Sequence, residues 1–300
     1  MMDIKFGNSV REAQAAKAPV VALESTVISH GLPFPQNLET AFNVEQIVAS
    51  VGATPATIAV LDGTICCGLS RDELNRLATE DGIRKISRRD IAIAAAKRLT
   101  AATTVATTTL IAHAAGIEVF ATGGIGGVHR GYAADVSADL PELASTPITV
   151  VCSGPKIILD VAATREWLET YGITVLGWKC DEMPGFYSRT SGMPVDERVE
   201  SAEEAAAIIR TRDKLGLNGA VLVAAPVPAE FEIELAEVES LIEEALHAAE
   251  RQNVKGKETT PFLLSALVEK SGGRTLAANI ALLKNNAHVA AEIAVALKQS

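Results

Sequence analysis

The sequence predicts an α/β fold, a three-layer α/β/α arrangement with a largely parallel central sheet. Apolar runs of strand length alternate with helical patterns along nearly the whole chain. Strands that alternate with helices form parallel sheets that are covered on both faces. The chain has 300 residues, of which 48% are hydrophobic, and this fits one large domain. We therefore predict a single α/β domain over residues 1–300, with room for a small subdomain near residues 179–200.

The first half of the chain supplies two predicted strands and four predicted helices. Residues 19–23 are consecutive apolar residues and predict a buried strand, and residues 57–61 predict a strand that ends at an Asp-Gly turn. Helical spacing of apolar residues predicts helices at 39–51, 72–80, 89–99 and 103–115. The last of these contains five threonines, which have low helix propensity.

The second half repeats the alternation. Short apolar runs predict strands at 118–121, 148–152, 174–178 and 220–224. Helical spacing predicts helices at 159–170, 202–215 and 229–251, and further helices from 261 to 298. Asn279, Asn285 and Asn286 in these last helices are expected on the helix surface. In such sheets, ligands bind beyond the carboxyl ends of the strands, so polar residues that follow a strand are candidate site residues.

Composition excludes several classes of function. A net charge of −10 without a Lys/Arg run argues against nucleic-acid binding. The first residues show no apolar signal region, and no apolar run approaches the ~18 residues of a membrane span. We therefore expect a cytoplasmic protein without a membrane partner. None of the four cysteines forms C-x-x-C, which argues against a zinc site or a disulfide framework, and Cys152 is expected to be a small buried hydrophobe.

A glycine-rich stretch at 122–131 is the strongest candidate for a functional loop. It follows the strand at 118–121 and has four glycines within five positions, which let the backbone take positive φ and bring its N–H groups close to a ligand. His129 and Arg130 follow at once, and Asp135 and Asp139 lie four positions apart. The alternative is a glycine-rich turn that packs tightly against a neighbouring helix. The gathering of ionisable groups favours the site.

Two common glycine motifs do not fit this stretch. The dinucleotide fingerprint G-x-G-x-x-G requires a third glycine where His129 stands. A P-loop requires Gly-Lys, but Pro155 separates Gly154 from Lys156. The loop is therefore neither of these phosphate-binding motifs.

Three other polar positions belong to strand ends or helix starts. Glu24 directly follows the strand at 19–23 and is expected at its carboxyl end, although a helix cap would also explain it. Residues 85–90 form a basic cluster that starts at Lys85 and is either an anion site at a helix start or a solvated set of paired charges. Lys156 lies between apolar residues, where desolvation favours the neutral, nucleophilic amine. The alternative is a lysine that extends past a strand end to solvent.

Five motifs in order resemble those of one family. They are residues 24–33 (ESTVISHGLP), 85–90 (KISRRD), 122–131 (TGGIGGVHRG), 135–140 (DVSADL) and 152–156 (CSGPK). The sequence closely resembles the pseudouridine-5′-phosphate glycosidases, also called the indigoidine synthase A family, from about residue 7 to the C-terminus. Pro155 and Gly185 depart from the family pattern, which has a small or aliphatic residue and an alanine at these positions.

The resemblance implies an enzyme of the lyase class and a small-molecule substrate. Such enzymes interconvert pseudouridine 5′-phosphate and water with uracil and ribose 5-phosphate, through a lysine–ribose covalent, Schiff-base-like intermediate. Lys156 matches the nucleophile, and Glu24 matches the proton donor. Asp135 matches the ligand of a divalent cation, Mn²⁺ or another such as Mg²⁺. The resemblance also implies a homotrimer. The positions that match substrate contacts are Lys85, the backbone at Val105, Ser137, Ala138 and Asp139.

Two alternative functions stay open at this stage. One is a Schiff-base lyase or aldolase that acts on another sugar phosphate with the same lysine. The other is a non-catalytic metabolite-binding relative that keeps the fold, since fold alone does not determine function. The presence of both Glu24 and Lys156 favours the enzyme.

Overall fold

The structure of the chain is a computed structural model that describes residues 2–131, 134–252, 254 and 259–299. Thirteen strands lie in this part of the chain. They are β1 (Ile4–Phe6), β2 (Val20–Leu23), β3 (Thr54–Leu61), β4 (Thr64–Cys67), β5 (Arg84–Ile86), β6 (Ala101–Thr103), β7 (Val119–Ala121), β8 (Val128–His129), β9 (Thr149–Cys152), β10 (Leu159–Asp160), β11 (Thr174–Trp178), β12 (Glu197–Val199) and β13 (Val221–Ala224).

Eleven α-helices lie in the same described residues. They are α1 (Asn8–Ala15), α2 (Gln36–Val51), α3 (Arg71–Thr79), α4 (Ile91–Ala96), α5 (Val105–Ala114), α6 (Asp139–Ser145), α7 (Val161–Thr170), α8 (Ala202–Lys214), α9 (Leu235–Arg251), α10 (Thr259–Lys270) and α11 (Arg274–Lys298). A π-helix spans Val27–Gly31, and short 3₁₀ helices span Arg88–Asp90 and Ala229–Phe231.

One large sheet organises the molecule. Nine strands follow the order β1-β4-β3-β2-β7-β9-β13-β11-β12, and β6 pairs with β3 while β5 pairs with β6. Neighbours are parallel except where β3 pairs with β4 and with β6. The predicted, largely parallel sheet is therefore confirmed.

Helices cover both faces of the sheet, and successive side chains along a strand point towards opposite faces. On β2, Val21 packs into a core with α2, α8, α9 and α11, whereas Ala22 packs into a core with α1, α5, α6 and α7. These are the two outer layers of the predicted three-layer arrangement. The segment 179–200 contributes β12 to the main sheet.

The last helix, α11, is long and apolar enough by length and composition to cross a membrane. However, 61% of its most apolar window is buried inside the protein, where it packs against α2, α8 and the strands β7 and β9. That is the behaviour of a core helix.

Two predicted helices differ from the structure. The helix at 103–115 begins at Val105, and the residues before it form β6, which agrees with the low helix propensity of threonine. The helix at 89–99 is a 3₁₀ turn followed by the six residues of α4. Short strands such as β5 and β6 were not predicted, because three residues are too few to show a period.

The arrangement of β2 and β6 along β3 positions the site. Leu23 of β2 lies opposite Thr57 of β3, and Ala102 of β6 lies opposite Ala59 of β3. Because β2 is parallel to β3 and β6 is antiparallel to it, the carboxyl ends of β2 and β6 point towards each other at Ile58. The residues after β2 therefore meet the residues after β6 at one point on the edge of β3.

Candidate active site

Three hydroxyl groups hold the ends of β2 and β6 together at this point. Ser25 and Thr103 both donate hydrogen bonds to the carbonyl oxygen of Ile58, at 2.7 and 2.8 Å. The Thr26 hydroxyl donates to the carbonyl of Thr103 at 2.7 Å. These side chains are buried. Their hydrogen bonds replace the backbone hydrogen bonds to β3 that neither β2 nor β6 can continue past its end. They hold Glu24, immediately before Ser25, against the start of α5.

Glu24 is a buried carboxyl group, 6% exposed, and it accepts a hydrogen bond from the hydroxyl of Thr122, which follows β7. Burial raises the pKa of Glu24, and the charge of Asp139 adds to this, while the charges of Lys156 and Lys85 and the Thr122 hydrogen bond act in the opposite direction. The net shift is upward, so the site favours the protonated acid. A buried carboxylic acid beside two lysines is suited to donate a proton.

Lys156 is held by pairing between two loops. The N–H of Ile125 donates to Gly154 at 3.1 Å, and the N–H of Lys156 donates back to Ile125 at 3.0 Å. Ile125 thus lies opposite Pro155 in a parallel bridge. Neither hydrogen bond uses the nitrogen of Pro155, so the proline that departs from the family pattern fits here without the loss of a backbone bond.

The glycines of the loop serve close packing rather than positive φ. The expectation that they take positive φ is wrong for positions 123, 124, 126 and 127, since none of them has it. Instead, a Cβ on Gly126 would lie 2.1 Å from Ser137 Oγ and 2.6 Å from Asp139 Oδ2, and one on Gly124 would lie 2.6 Å from the Phe186 ring. The loop is therefore both of the alternatives that the sequence offered: its glycines pack tightly, and the side chains they pack against belong to the site.

Asp139 joins the glycine loop to the amino end of α5. One carboxylate oxygen accepts the N–H of Ala106 at 2.8 Å, and the other accepts the N–H of Gly126 at 2.7 Å. A carboxylate at a helix amino terminus is favourable because it meets unpaired N–H groups and the positive end of the helix dipole. Val105 is the first residue of this helix, and the bond to Asp139 fixes its backbone beside the site.

One cavity of about 190 Å³ gathers most of the predicted site residues. It is lined by Glu24, Lys85, Ser137, Ala138, Asp139 and Lys156, together with Thr26, Ser87, Thr104, Gly126, His129, Ile158 and Leu159. A smaller, adjoining cavity of about 50 Å³ shares Glu24, Thr26, Lys85 and Lys156, and Phe186 and Asn279 lie in its wall. Val105 and Asp135 lie outside both linings.

Each of the two interpretations of the basic cluster at 85–90 holds for part of it: one cation lines the cavity, and other charges pair with one another. Lys85 lies on β5 and faces the cavity. Arg88 instead pairs with the buried carboxylate of Glu142 at 2.9 Å, and Arg84 pairs with Asp90 at 3.6 Å. Only Lys85 and Ser87 of this cluster line the cavity, so Lys85 is its one cation at the site.

Asp135 is exposed and precedes α6. Its carbonyl oxygen accepts the N–H of His129 at 2.9 Å. Within residues 2–131, 134–252, 254 and 259–299, no three His, Cys, Asp or Glu side chains gather as a metal site. A single exposed carboxylate fits a hard divalent cation that keeps several waters and takes its other ligands from a substrate phosphate.

The sequence did not predict the roles that two residues have at the site. Asn286 was expected on the helix surface but is fully buried, and its amide donates to the carbonyl of Thr122 at 2.9 Å and to the Ser153 hydroxyl at 3.1 Å. Thr122 was noted only as the start of the loop, yet it is the hydrogen-bond partner of Glu24. Its position after a strand was the available signal.

The sequence profile of one protein family, described as indigoidine synthase A like protein, matches residues 9–296. The chain belongs to the indigoidine synthase A like family. This confirms the family that the five motifs predicted.

Several members of the family are similar over nearly their full length. The pseudouridine-5′-phosphate glycosidase of Symbiobacterium thermophilum is 54% identical over 301 residues and covers 98% of each chain. The enzyme of the same name from Geobacillus kaustophilus is 52% identical over 291 residues, which are 96% of this chain and 97% of the relative.

Two solved structures share the fold. An indigoidine synthase A-like protein from Thermotoga maritima has a TM-score of 0.91 at 41% identity, covering 99% of this chain and 97% of the other. A prealnumycin C-glycosynthase, solved with ribulose 5-phosphate, has a TM-score of 0.90 at 38% identity, covering 98% and 96%. The α/β fold class predicted from the sequence is confirmed by these structures.

Proposed function

We propose that this chain is a pseudouridine-5′-phosphate glycosidase, which reversibly cleaves the carbon–carbon bond between C1′ of ribose and C5 of uracil. The observation that carries the proposal is one cleft in which a buried acid, Glu24, faces the lysine Lys156. Relatives with this activity in their names are more than 50% identical to the chain. The products are uracil and ribose 5-phosphate.

The proposed nucleophile is the Lys156 amine. Its nitrogen bonds to C1′ as the bond between C1′ and the ring oxygen breaks, and that oxygen takes a proton from Glu24. The adduct nitrogen then loses a proton to water, and Glu24, once reprotonated, donates a proton to uracil C5. The C1′–C5 bond breaks, and its electron pair returns to the uracil ring. The lysine nitrogen supplies the pair that makes the C1′=N bond, and water later releases ribose 5-phosphate. This lysine adduct is needed because a uracil carbon is a poor leaving group.

The environment of Glu24 supports its role as the proton donor. Burial raises the pKa of Glu24, which favours the protonated form that a proton donor needs. The Thr122 hydroxyl fixes the carboxyl orientation. The same residue can take a proton back in the synthetic direction.

The phosphate and ribose hydroxyls are assigned to the polar side of the cleft. Lys85 provides a cation, and Ser137 and Ala138 line the same wall beside the amino end of α5. Asp139 is already bonded to two backbone N–H groups. Its free lone pairs are available to ribose hydroxyls, and the backbone of Val105 lies next to it.

The proposed cofactor is Mn²⁺ or another divalent cation such as Mg²⁺, held by Asp135. When bound, such an ion would supply positive charge to the site. We also propose that the protein is a homotrimer, as the family resemblance implies, and that it lies in the cytoplasm.

A second candidate keeps the lysine and changes the leaving group. The structural relative named as a prealnumycin C-glycosynthase, with 38% identity, has this fold. The corresponding proposal for this chain is a lyase that acts on another sugar phosphate. It would form a lysine adduct with ribose 5-phosphate without releasing or using uracil.

The deciding experiment is incubation of the purified protein with pseudouridine 5′-phosphate and Mn²⁺, with uracil followed by chromatography. Release that a chelator abolishes and that Mn²⁺ restores is the expected result. Folded, metal-loaded protein that releases no uracil would contradict the proposed substrate. Borohydride trapping with ribose 5-phosphate then tests the second candidate.

A further inference from the structure

A third cavity, the inner cavity, borders Glu24 but is not lined by Ser137 or Asp139. Its volume is about 30 Å³, and a water molecule needs roughly 10–15 Å³ of such space. Glu24 lines this cavity as well as the cleft, so one residue borders both. The other polar residues in the lining are Asn37, Thr40, Thr57 and Thr122.

Most of this lining is apolar, so an ordered water molecule in it depends on the few polar groups. A buried water molecule typically makes about three hydrogen bonds to polar groups, and the cavity offers a carboxyl group and several hydroxyls. The Asn37 amide is already used, since it donates to the carbonyls of Ile28 and Ala78 at 2.8 and 3.1 Å. The carboxyl group of Glu24 and the hydroxyl of Thr57 are the hydrogen-bond partners assigned to this water.

Thr57 connects the inner cavity to a second carboxyl group. Its hydroxyl, on a side chain only 2% exposed, donates a hydrogen bond of 2.6 Å to Glu45 Oε1 on α2. Glu45 is half-buried, so it reaches solvent on one side and Thr57 on the other. Burial raises the pKa of Glu45, opposed by the Thr57 hydrogen bond and by the charge of Arg71. The proposed reaction has not used this carboxyl group.

We propose that Glu45, Thr57 and water in the inner cavity form a proton relay that resupplies Glu24 while substrate fills the cleft. The inference rests on the proposed function, in which Glu24 gives up a proton to the substrate. With substrate bound, the cleft side of Glu24 is occupied by the reacting sugar and base. The inner cavity also borders Glu24.

The transfer is balanced in protons. The Thr57 hydroxyl, which donates to Glu45 at rest, turns towards the water in the cavity, and the water takes its proton while donating one to the Glu24 carboxylate. Thr57 takes a proton from the Glu45 carboxylic acid, and Glu45 recovers one from solvent. One proton enters at Glu45 and one arrives at Glu24, while water and threonine return to their original composition. The charged groups that face the two ends are Arg71 for Glu45, and Lys156, Lys85 and Asp139 for Glu24.

The kinetic test uses Glu45→Gln and Thr57→Val, with Thr57→Ser and Glu39→Gln as matched controls. Glu39 is an exposed carboxylate on the same helix. A relay predicts that the first two variants lower kcat for uracil release about tenfold, leave KM unchanged and increase the solvent deuterium isotope effect on kcat. Thr57→Ser and Glu39→Gln should keep the wild-type kcat.

Two outcomes would overturn the relay. One is a wild-type kcat and isotope effect in folded Glu45→Gln and Thr57→Val. The other is an equal loss of kcat in Thr57→Ser and Thr57→Val, which would show that packing of the methyl group, and not the hydroxyl, matters.

A crystal structure of the resting protein tests the relay without any assay. Ordered water bonded to both Glu24 and the Thr57 hydroxyl is expected, and a dry inner cavity would overturn the inference. Failure of the proposed function would show itself differently, as wild-type protein that releases no uracil.

Discussion

Asn286 on the last helix donates a hydrogen bond of 3.1 Å to the hydroxyl of Ser153, which lies 133 positions earlier in the chain. The Ser153 hydroxyl donates in turn to the carbonyl of Ala225 after β13, at 2.8 Å. Because the same amide also reaches the carbonyl of Thr122, one side chain joins the loops that carry Glu24's partner and Lys156. The site is thus braced from below by α11.

Replacement of Asn286 by Ala should destabilise the protein. The change leaves buried acceptors without their donor, which costs about 1–3 kcal/mol, and it should also lower kcat because the two loops lose their common partner. Urea unfolding and uracil release measure the two effects. Asn285→Ala is the matched control, since Asn285 is half-buried and makes one bond of 3.2 Å to Pro226. Equal stability of both variants would contradict the bracing role.

Lys156→Ala should abolish turnover without unfolding the protein. The side chain is the proposed nucleophile, and its loss should lower kcat at least about a thousandfold. Uracil release measures this, and circular dichroism confirms the fold. Lys156→Arg keeps the positive charge but is expected to be equally inactive, because a guanidinium is not a nucleophile. A folded, active Lys156→Ala protein would refute the assignment.

Glu24→Gln should stabilise the protein at mildly alkaline pH while it removes activity. The folded state raises the pKa of Glu24 above its ordinary value of 4.5, so the folded protein keeps a proton that the unfolded chain has lost. Stability is therefore highest below the unfolded pKa and falls as pH rises through the folded pKa. Glutamine removes this dependence, since it carries no proton to lose.

Thermal melts across pH measure the effect on the folded state. The advantage of Glu24→Gln over the wild-type protein should shrink as pH falls towards 4.5. A difference that does not change with pH would show that Glu24 is not protonated by burial.

Gly126→Ala should disrupt substrate binding more than folding. Its Cβ would lie 2.1 Å from Ser137 Oγ and 2.6 Å from Asp139 Oδ2, so both side chains must move. We expect KM for pseudouridine 5′-phosphate to rise about tenfold or more. Gly185→Ala is the control, because its nearest contact is the carbonyl oxygen of Thr190 at 3.3 Å. Unchanged kinetics in Gly126→Ala would show that the close approach is not needed.

Asp135→Ala should weaken the dependence of activity on Mn²⁺. The proposed cation has this one carboxylate as a protein ligand, so its loss should raise the Mn²⁺ concentration for half-maximal activity about tenfold or more. Metal titration of uracil release measures the change. Asp139→Asn is a useful comparison, since it alters the site without touching the proposed ligand. An identical titration curve for Asp135→Ala and the wild-type protein would refute the role.

Much of the fold could be predicted from the sequence because burial leaves a local period. The apolar runs at 19–23, 118–121 and 148–152 correspond to β2, β7 and β9, and Glu24, Thr122 and Ser153 follow them directly. The positions of Glu24 and Lys156 at strand ends could be inferred from this pattern. The nucleophilic role of Lys156 was inferred from its apolar surroundings, whereas the proton-donor role of Glu24 and the metal role of Asp135 came from the family resemblance.

The rest required the tertiary structure, because it depends on contacts between distant segments. Lys85 was expected near a helix start, but it lies on β5, and only the antiparallel pairing of β6 with β3 brings that strand to the end of β2. Asn286 was assigned to a helix surface, but α11 is buried against the sheet, so its amide faces the site. The sequence by itself determined the layers, the strand ends and the chemical groups that follow them. Only the packing of segments that are distant in the chain decided which of those groups meet, since local periodicity records that a residue is buried and not what it is buried against.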